Sequence, residues 1–192
     1  MERNKNSSSW LEEGYQLFAH EGMEGIQVER LARILCLNKS GFYHYFGDIE
    51  GYCSELIGLH EKKAHDYLRE LRTINSIDPD YFGLLIRYKV PAMFQVQVLR
   101  DKRNTQFYNV AEYIDNLEDG LVQTLWSKYL GLEERPNLAL RYFKIVRDVF
   151  YARISFDNFD KEYLRNLFTE TKEVMQQLSE SNVPVESGGS VY

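Results

Sequence analysis

The sequence has few of the residues that stabilise small secreted proteins or interrupt helices. Among its 192 residues, two are cysteine and four are proline. Cys36 and Cys53 form neither a CxxC motif nor a paired framework, so a disulfide scaffold is excluded and a reducing compartment is expected. The scarcity of proline, together with the lack of alternating β-branched runs, predicts long helices.

Long hydrophobic segments are also missing. No apolar stretch reaches the roughly 18 residues of a membrane-spanning helix, and the polar segment 1–9 does not resemble a signal peptide. Both features predict a cytoplasmic protein without membrane contact. Positive charge is scarce as well, because 23 basic residues face 29 acidic ones and the net charge is −6. This balance argues against a protein that coats nucleic acid indiscriminately.

Catalytic and cofactor-binding motifs are absent. The sequence contains no GxSxG, P-loop or GxGxxG pattern, and its Ser, His and Asp residues form no recognisable catalytic order. His60 and His65 are five residues apart, which rotates them about 140° around a helix, whereas two metal ligands on one face need a spacing of four. We therefore expect a surface helix at these histidines, and no enzyme activity, metal or cofactor.

What the sequence does contain is a series of helical segments, which predicts an all-α protein. Residues 1–8 are expected to be disordered, and Ser9 is the predicted N-cap of the first helix. Apolar residues at helical spacing predict a second short helix over 28–35. Asn38 is a suitable N-cap for a third helix, which ends near Gly47.

Five longer helices are predicted beyond this point. Their approximate bounds are 48–73, 78–100, 112–130, 137–156 and 160–179. Asp78-Pro79 is expected to open the second of these helices, and Pro91 to kink it. Gly131 is the expected C′ residue of the third. The Ser/Gly-rich tail 181–192 is expected to be mobile.

The three short helices form a pattern of their own. Two helices joined by a tight turn, with a third packed behind, are the minimum that places one helix in the major groove of DNA. Leu31, Ala32 and Phe42 are expected to face inward. The outer face offers short hydrogen-bonding groups for base edges and phosphates. It comprises Asn38, Lys39, Ser40, Gly41, Tyr43 and His44.

Residues 10–46 resemble the TetR/AcrR family of bacterial transcriptional regulators. The most specific part is Lys39-Ser40-Gly41 followed by Phe-Tyr-His-Tyr-Phe at 42–46. The resemblance implies a three-helix, helix-turn-helix DNA-binding domain at the N-terminus, followed by a larger helical effector-binding and dimerisation domain. The expected domain bounds are 1–47 and 48–180, with 181–192 as a tail.

The resemblance also implies roles for individual positions. The start of the second helix lies against a phosphate, the start of the third helix reads bases, and Tyr43 and His44 hold backbone phosphates. With Asn38 included, the predicted DNA-binding residues are Gln27, Val28, Asn38, Lys39, Ser40, Gly41, Tyr43 and His44.

Three positions depart from the family pattern. Cys36 replaces the usual turn glycine, Gln27 replaces a Thr or Ser cap, and Ile49 replaces a lysine that touches phosphate. Cys36 itself is expected to be a small buried hydrophobe. The first 50 residues carry five basic and eight acidic side chains. These departures predict few phosphate contacts, and they support an alternative, an interaction module that kept the fold and lost operator binding.

The longer helices contain more aromatic residues than one ordinary core stripe needs, and the resemblance implies an effector cavity among them. A buried Arg147 favours an anionic effector, or else it forms a structural salt bridge. The candidate ligand-binding residues are Tyr88, Phe94, Tyr108, Tyr113, Trp126, Phe143, Arg147, Phe150 and Tyr151.

The predicted helix over 137–156 has two apolar stripes. One comprises Leu138, Tyr142, Ile145 and Val149, and the other Leu140, Phe143, Phe150 and Ile154. A helix that is apolar on two sides indicates a second interface. With the helix over 160–179 it would build a four-helix dimer interface, as in the family. The resemblance thus implies a ligand-responsive homodimeric repressor, with an operator in double-stranded DNA, a second copy and a small-molecule effector as its partners.

Overall fold

The computed structural model describes residues 2–181, with side chains for residues 6–174 and 177. Its helices are α1 (Glu2–Glu21), α2 (Val28–Leu35), α3 (Lys39–Phe46), α4 (Ile49–Leu71), α5 (Phe82–Arg87), α6 (Lys89–Arg100), α7 (Thr105–Leu130), α8 (Pro136–Arg153) and α9 (Lys161–Ser181). A 3-10 turn at Gly22–Gly25 and a π-helical turn at Ile77–Tyr81 complete the helical elements. The part of the chain that is described contains no β-strand, so the all-α prediction is confirmed.

The first helix begins earlier than predicted. Ser9 lies inside α1, and residues 2–8, expected to be disordered, are helical. Trp10 is fully buried, and neither glycine nor proline occurs between residues 2 and 9. Once Trp10 anchors the helix, extension towards the N-terminus adds one hydrogen bond per residue at little cost. The predicted mobile tail falls, beyond Ser181, outside the described residues.

The predicted helix over 78–100 starts differently from the prediction and is interrupted once. The peptide bond Asp78-Pro79 is cis and Asp78 is extended, with φ −112° and ψ 122°, so it is Ser76 that caps this turn. The break between α5 and α6 falls at Tyr88, with φ −98° and ψ 27°. This break lies in the turn directly before Pro91, whose ring clashes with the carbonyl four residues earlier and which has no N–H to donate to it, so the predicted interruption by Pro91 is confirmed.

Helix α7 starts seven residues before its predicted position. Asn104 caps it, since its Oδ1 accepts a hydrogen bond from the amide of Phe107 at 3.1 Å. At the other end Gly131 is left-handed, with φ 69°, which confirms the predicted C′ glycine. Asp48 caps α4, accepting a hydrogen bond from the amide of Gly51 at 2.8 Å.

The N-terminal helices share one core with the rest of the chain. Helix α1 packs on α4 and α6, α7 packs on α4 and α8, and α9 packs on α5 and α8. The rings of Tyr15 and Phe18 in α1 stack on Phe94 of α6, with centroids 4.5 and 4.1 Å apart. Helix α1 is thus rigidly connected to the long helices. Over the described range, no helix combines the length and apolar character needed to cross a membrane.

Candidate nucleic-acid interface and interior cavities

Helices α2 and α3 are joined by a tight turn. Cys36 adopts the left-handed conformation, with φ 55° and ψ 38°, and the amide of Leu37 donates to the carbonyl of Ala32 over 2.9 Å. Asn38 then caps α3 by accepting from the amide of Ser40 at 2.9 Å, as predicted. A non-glycine residue in this conformation costs about 1 kcal/mol, so Cys36 is tolerated at some expense.

The positions that depart from the family pattern are all at the surface. Cys36 is exposed, so its assignment as a buried hydrophobe is wrong. The reason is its place beyond the end of α2, where the buried stripe of Leu31 and Ala32 no longer applies. Gln27 is the N-cap of α2 but makes no side-chain cap bond, and Ile49 is 38% exposed.

A cluster of aromatic rings, here named the aromatic base, holds α3 in place. It consists of Trp10, Phe42, Phe46 and Tyr52. Phe42 and Phe46 are buried, and Phe42 makes an edge contact with Trp10 of α1, with ring centroids 5.4 Å apart. Tyr52 of α4 packs on the other side, with its centroid 5.0 Å from that of Phe42. Its hydroxyl donates to the carbonyl of Trp10 over 2.8 Å. The predicted inward positions are confirmed, and α3 is held from both α1 and α4.

All eight predicted DNA-contact residues reach the surface. Val28 and Gly41 are partly exposed and the other six are exposed. Tyr43 is the most prominent large side chain of α3, with 52% of its surface exposed. The ring of Tyr43 meets Phe42 edge-on, with centroids 5.5 Å apart, and Val28 packs partly on the core. All eight residues nevertheless present surface that a groove of DNA can approach without any rearrangement of the core.

Carboxylates hold two of the cations next to this surface. Lys39 Nζ lies 2.9 Å from Glu29 Oε1, and Arg30 makes two hydrogen bonds to the Glu21 carboxylate. Hydrogen bonding to Glu29 raises the pKa of Lys39, and hydrogen bonding to Arg30 lowers the pKa of Glu21. The local positive charge is therefore largely neutralised, in agreement with the acidic composition of residues 1–50.

Two small cavities lie among the long helices. The first, here named the central cavity, has a volume of about 50 Å3 and is bounded by residues of α4, α5, α6, α7 and α8, including His60, Gln95 and Tyr151. The second, the rear cavity, has a volume of about 40 Å3 and is lined by Phe143 and Phe150 among others. Both are mainly apolar, with a few polar groups that converge on them.

The structure does not bring the nine predicted ligand-binding residues together at one site. Tyr88 and Tyr151 line the central cavity, and Phe143, Arg147, Phe150 and Tyr151 line the rear one. Tyr108 lines an open surface cleft of about 440 Å3 together with Arg147 and Tyr151. The remaining three line neither cavity, because Phe94 and Trp126 are buried within the core and Tyr113 is 49% exposed.

Arg147 is engaged by carboxylates. Its Nη1 donates to Asp119 Oδ1 at 2.6 Å, and its Nε lies 3.5 Å from Asp115 Oδ2. Of the two roles expected from the sequence, the structural salt bridge is the one observed. A guanidinium already paired with two carboxylates offers little attraction to an anionic effector.

A buried chain of hydrogen bonds runs from α1 to α8, and the sequence did not predict it. The Tyr15 hydroxyl lies 2.8 Å from His60 Nδ1, and His60 Nε2 lies 2.9 Å from Gln95 Oε1. Gln95 Nε2 donates to Asp115 Oδ1 at 2.8 Å, and the Tyr151 hydroxyl donates to the same oxygen at 2.8 Å. These five residues are named the polar chain. It links α1 to the central cavity.

His60 therefore does not lie on a surface face, which corrects the prediction. It is only 1% exposed, and burial lowers its pKa to about 4, so the ring is neutral near pH 7. In the sequence, its burial is indicated by its position on the apolar stripe of Leu56, Ala64 and Tyr67 in α4. His65, five residues later, is exposed, so the two histidines do not converge.

A known protein family matches the N-terminal part of the chain. The family described as "Bacterial regulatory proteins, tetR family" matches residues 11–51, from the middle of α1 to the start of α4. No curated protein and no solved structure matches the chain. The matched segment contains the turn, the aromatic base and the exposed face described above. Residues 11–51 are thus similar to the tetR family of bacterial regulatory proteins, which supports a DNA-binding role for their helix-turn-helix.

Proposed function

We propose that the protein is a homodimeric repressor that binds a palindromic operator and releases it when a small-molecule effector occupies the helical region. The observation that carries this proposal is the exposed polar face of α3 on its aromatic base, within the matched segment 11–51. Residues 1–47 act as the DNA-binding part, and residues 48–180 bind the effector and dimerise. The protein acts in the cytoplasm, where its operator lies.

In this proposal Lys39, Ser40 and Gly41 face bases, and Tyr43 and His44 hold phosphates. Gly41 supports this arrangement. A Cβ atom at Gly41 would meet only Tyr45 Cε2, at 3.8 Å, so packing within the protein does not require glycine here. Because glycine inside a helix costs about 1 kcal/mol relative to alanine, close approach of DNA is a physical reason for its presence.

The dimer is proposed from an uncovered apolar surface on α8 and α9. The stripe with Phe143 and Phe150 is buried within the chain, whereas Ile145 of the other stripe is 57% exposed. Ile145, Val149 and Leu167 line a groove of about 240 Å3 between the two helices, and Val174 at its edge is 50% exposed. A second copy that places its own α8 and α9 on this groove would cover Ile145 of both copies and build a four-helix interface.

The polar chain supports a response to an effector. Four of its members, His60, Gln95, Asp115 and Tyr151, line the central cavity. The fifth, Tyr15, lies on α1, the helix that also contacts Phe42 through Trp10. A ligand that moves Gln95 or Tyr151 therefore changes the support of α1, and with it the placement of α3. In the dimer this alters the distance between the two recognition helices.

Selection of bound sequences from a random pool of double-stranded DNA tests operator binding. We expect an enriched palindrome whose half-sites lie in successive major grooves. Lys39→Ala and Tyr43→Ala are expected to weaken binding to that sequence. Lys128→Ala and Tyr113→Ala, which remove the same side-chain types from exposed positions on α7, are the matched controls. Equal binding by wild type and all four variants at several salt concentrations would contradict the assigned face.

Sedimentation of the full chain tests the dimer. Ile145→Asp is expected to shift the protein towards monomer, because it places a charge in a covered apolar groove. Ile34→Asp is the control, since Ile34 is an exposed isoleucine on α2. A wild-type monomer at all concentrations would refute the dimer. A dimer that enriches no DNA would instead favour the alternative, an interaction module without operator binding.

A further inference from the structure

The central and rear cavities meet at one buried carboxylate. Leu85, Glu118 and Tyr151 line both cavities, so Glu118 of α7 stands between them. Glu118 is only 7% exposed. It occupies a position on the buried stripe of α7 between Ile114 and Val122, where an apolar residue is the ordinary choice.

Glu118 has hydrogen-bond donors but no counter-ion among the residues described. Its Oε1 accepts from the hydroxyl of Tyr67 and, at 2.9 Å, from the hydroxyl of Tyr81. For Oε2 the structure records no hydrogen bond from any residue it describes, and no described cation lies within ion-pair distance of Glu118. Two neutral donors on one oxygen only partly replace the hydration that a carboxylate loses on burial.

The nearby cations, Arg147 and Lys144, pair with carboxylates other than Glu118. Asp119 forms ion pairs with Arg147 at 2.6 Å and with Lys144 at 2.8 Å. Asp115 lies 3.5 Å from the Nε atom of Arg147. Three buried or largely buried carboxylates thus share one largely buried guanidinium and one half-exposed ammonium. His60, the remaining titratable group on the central cavity apart from its tyrosines, is neutral near pH 7. With all three carboxylates ionised, they carry one more negative charge than Arg147 and Lys144 balance, and Glu118 is the one without a described cation within ion-pair distance.

The walls beside this charge are aromatic. Tyr67, Tyr88 and Tyr151 all line the central cavity, and the rings of Tyr67 and Tyr88 meet at 64° with centroids 5.5 Å apart. The negative face of a tyrosine ring attracts a cation, most strongly where water is excluded. A buried carboxylate next to several tyrosine rings is the environment that binds an organic ammonium group.

We propose that the central cavity binds the protonated amino group of a small organic amine, with Glu118 as its counter-ion and the tyrosine rings as its walls. This assignment rests on the proposed effector response and specifies the chemistry of the effector. The proposed effector is thus a cation, whereas an unpaired Arg147 would have favoured an anionic effector. A volume of about 50 Å3 suits an ammonium group with a short alkyl chain. The ligand touches Gln95 and Asp115, so its binding acts directly on the polar chain.

Three probes of matched size test the charge preference, namely propylamine, propanol and propionate. Each is titrated into the full-length wild-type protein without DNA, and binding is measured by saturation-transfer NMR. We expect propylamine to bind at least about tenfold more tightly than the other two, as one charged hydrogen bond in a buried site implies. Equal binding of the three probes, or a preference for propionate, would overturn the proposal.

Variants of the counter-ion complete the test. Glu118→Gln keeps the shape and is expected to abolish the preference for propylamine, whereas Glu118→Asp keeps the charge and is expected to retain part of it. Glu134→Gln, at an exposed glutamate before α8, is expected to behave as wild type. Far-UV circular dichroism confirms that each variant is folded. An unchanged preference in folded Glu118→Gln would assign the binding to another site and refute this one.

A final measurement separates this proposal from the proposed function. Propylamine is added to wild-type protein bound to its selected DNA, and release is expected in wild type but not in Glu118→Gln. Amine binding by a protein that selects no DNA would uphold the cavity and refute the operator. DNA binding without any amine preference would uphold the operator and refute the cavity.

Discussion

The hydroxyl of Tyr15 and the Nδ1 atom of His60 lie 2.8 Å apart in the buried interface between α1 and α4. Gln95 determines the direction of this hydrogen bond. Its Nε2 donates to Asp115 and to the carbonyl of Ala111, so its Oε1 must accept from His60 Nε2. His60 Nδ1 is then free to accept from the Tyr15 hydroxyl, which makes every group in this part of the polar chain either a donor or an acceptor with a partner.

Tyr15→Phe is expected to lower the free energy of unfolding by about 1–2 kcal/mol, because it leaves a buried acceptor on His60 without a donor. Chemical denaturation monitored by tryptophan fluorescence measures this loss. Tyr43→Phe removes an exposed hydroxyl and serves as the control, with no change expected. If Tyr15→Phe proves as stable as wild type, the hydrogen bond to His60 contributes nothing and the proposed link from α1 to the cavity loses its support.

The free energy of unfolding is expected to fall as the pH is lowered from about 6.5 to about 4. Burial lowers the pKa of His60 from 6.5 to about 4. In this window the unfolded chain binds a proton that the folded chain excludes, so stability rises with pH and falls on acidification. The full contribution is about 3 kcal/mol.

Comparison with His60→Gln isolates this effect, because Asp115 and Glu118 titrate with the opposite sign. Their pKa values are raised by burial, so they oppose the histidine over part of the same window. The difference in unfolding free energy between wild type and His60→Gln should therefore shift in favour of the variant as the pH falls. A pH-independent difference would show that His60 is not held neutral.

Gly14→Ala is expected to destabilise the protein by about 1–3 kcal/mol. A Cβ atom at Gly14 would lie 1.6 Å from the hydroxyl oxygen of Tyr52, which is fully buried and bonded to the carbonyl of Trp10. Gly58→Ala in α4 is the control, since nothing lies within 4 Å of the position that its Cβ would take, and it should stabilise the helix by about 0.5–1 kcal/mol. Thermal unfolding of both variants checks the contrast, which a similar shift in both would contradict.

Glu118→Gln is expected to raise the melting temperature at pH 7. Burial raises the pKa of Glu118, so above that pKa its ionised form opposes folding, and the amide removes this cost. The gain should shrink as the pH approaches about 4.5, because the carboxyl is then protonated in the folded state and increasingly in the unfolded state. A gain that is constant with pH, or a loss at pH 7, would show that the tyrosine hydroxyls already compensate for the charge.

Glu29→Gln is expected to raise the affinity for the selected DNA a few-fold. Glu29 holds Lys39 in an ion pair at 2.9 Å, and the variant frees this cation for the nucleic acid. A released lysine that reaches a phosphate should also steepen the slope of log K against log salt by about 1. Glu133→Gln removes the same charge from an exposed residue before α8 and controls for net charge. Equal effects of both variants would mean that Lys39 has no special role.

The sequence alone determined the helix-turn-helix. Leu31, Ala32 and Phe42 lie at core positions of their helices, and Asn38 and Asp48 are caps whose partners lie two or three residues away. Such signals are local, since a cap or an apolar stripe depends on neighbours along the same helix. This is why the turn, the buried positions of α3 and the left-handed C′ Gly131 could be predicted from the order of residues.

Helix ends without a strong local signal are predicted poorly. The sequence predicts a start at Ser9, but serine also fits a helical interior. The burial of Trp10 therefore decided where α1 begins. This choice depends on what the helix packs against. Intrinsic propensity is too weak to outweigh that packing.

The cavity chemistry was decided by tertiary structure. Glu118 and His60 each interrupt an apolar stripe, which marks them as unusual, yet their partners Tyr67, Tyr81, Tyr15 and Gln95 lie between 35 and 51 residues away. Arg147 suggests an anionic ligand until Asp115 and Asp119 are seen beside it. Charge balance in a buried site is a sum over groups from several helices, and only the folded chain brings those groups within a few ångströms of one another.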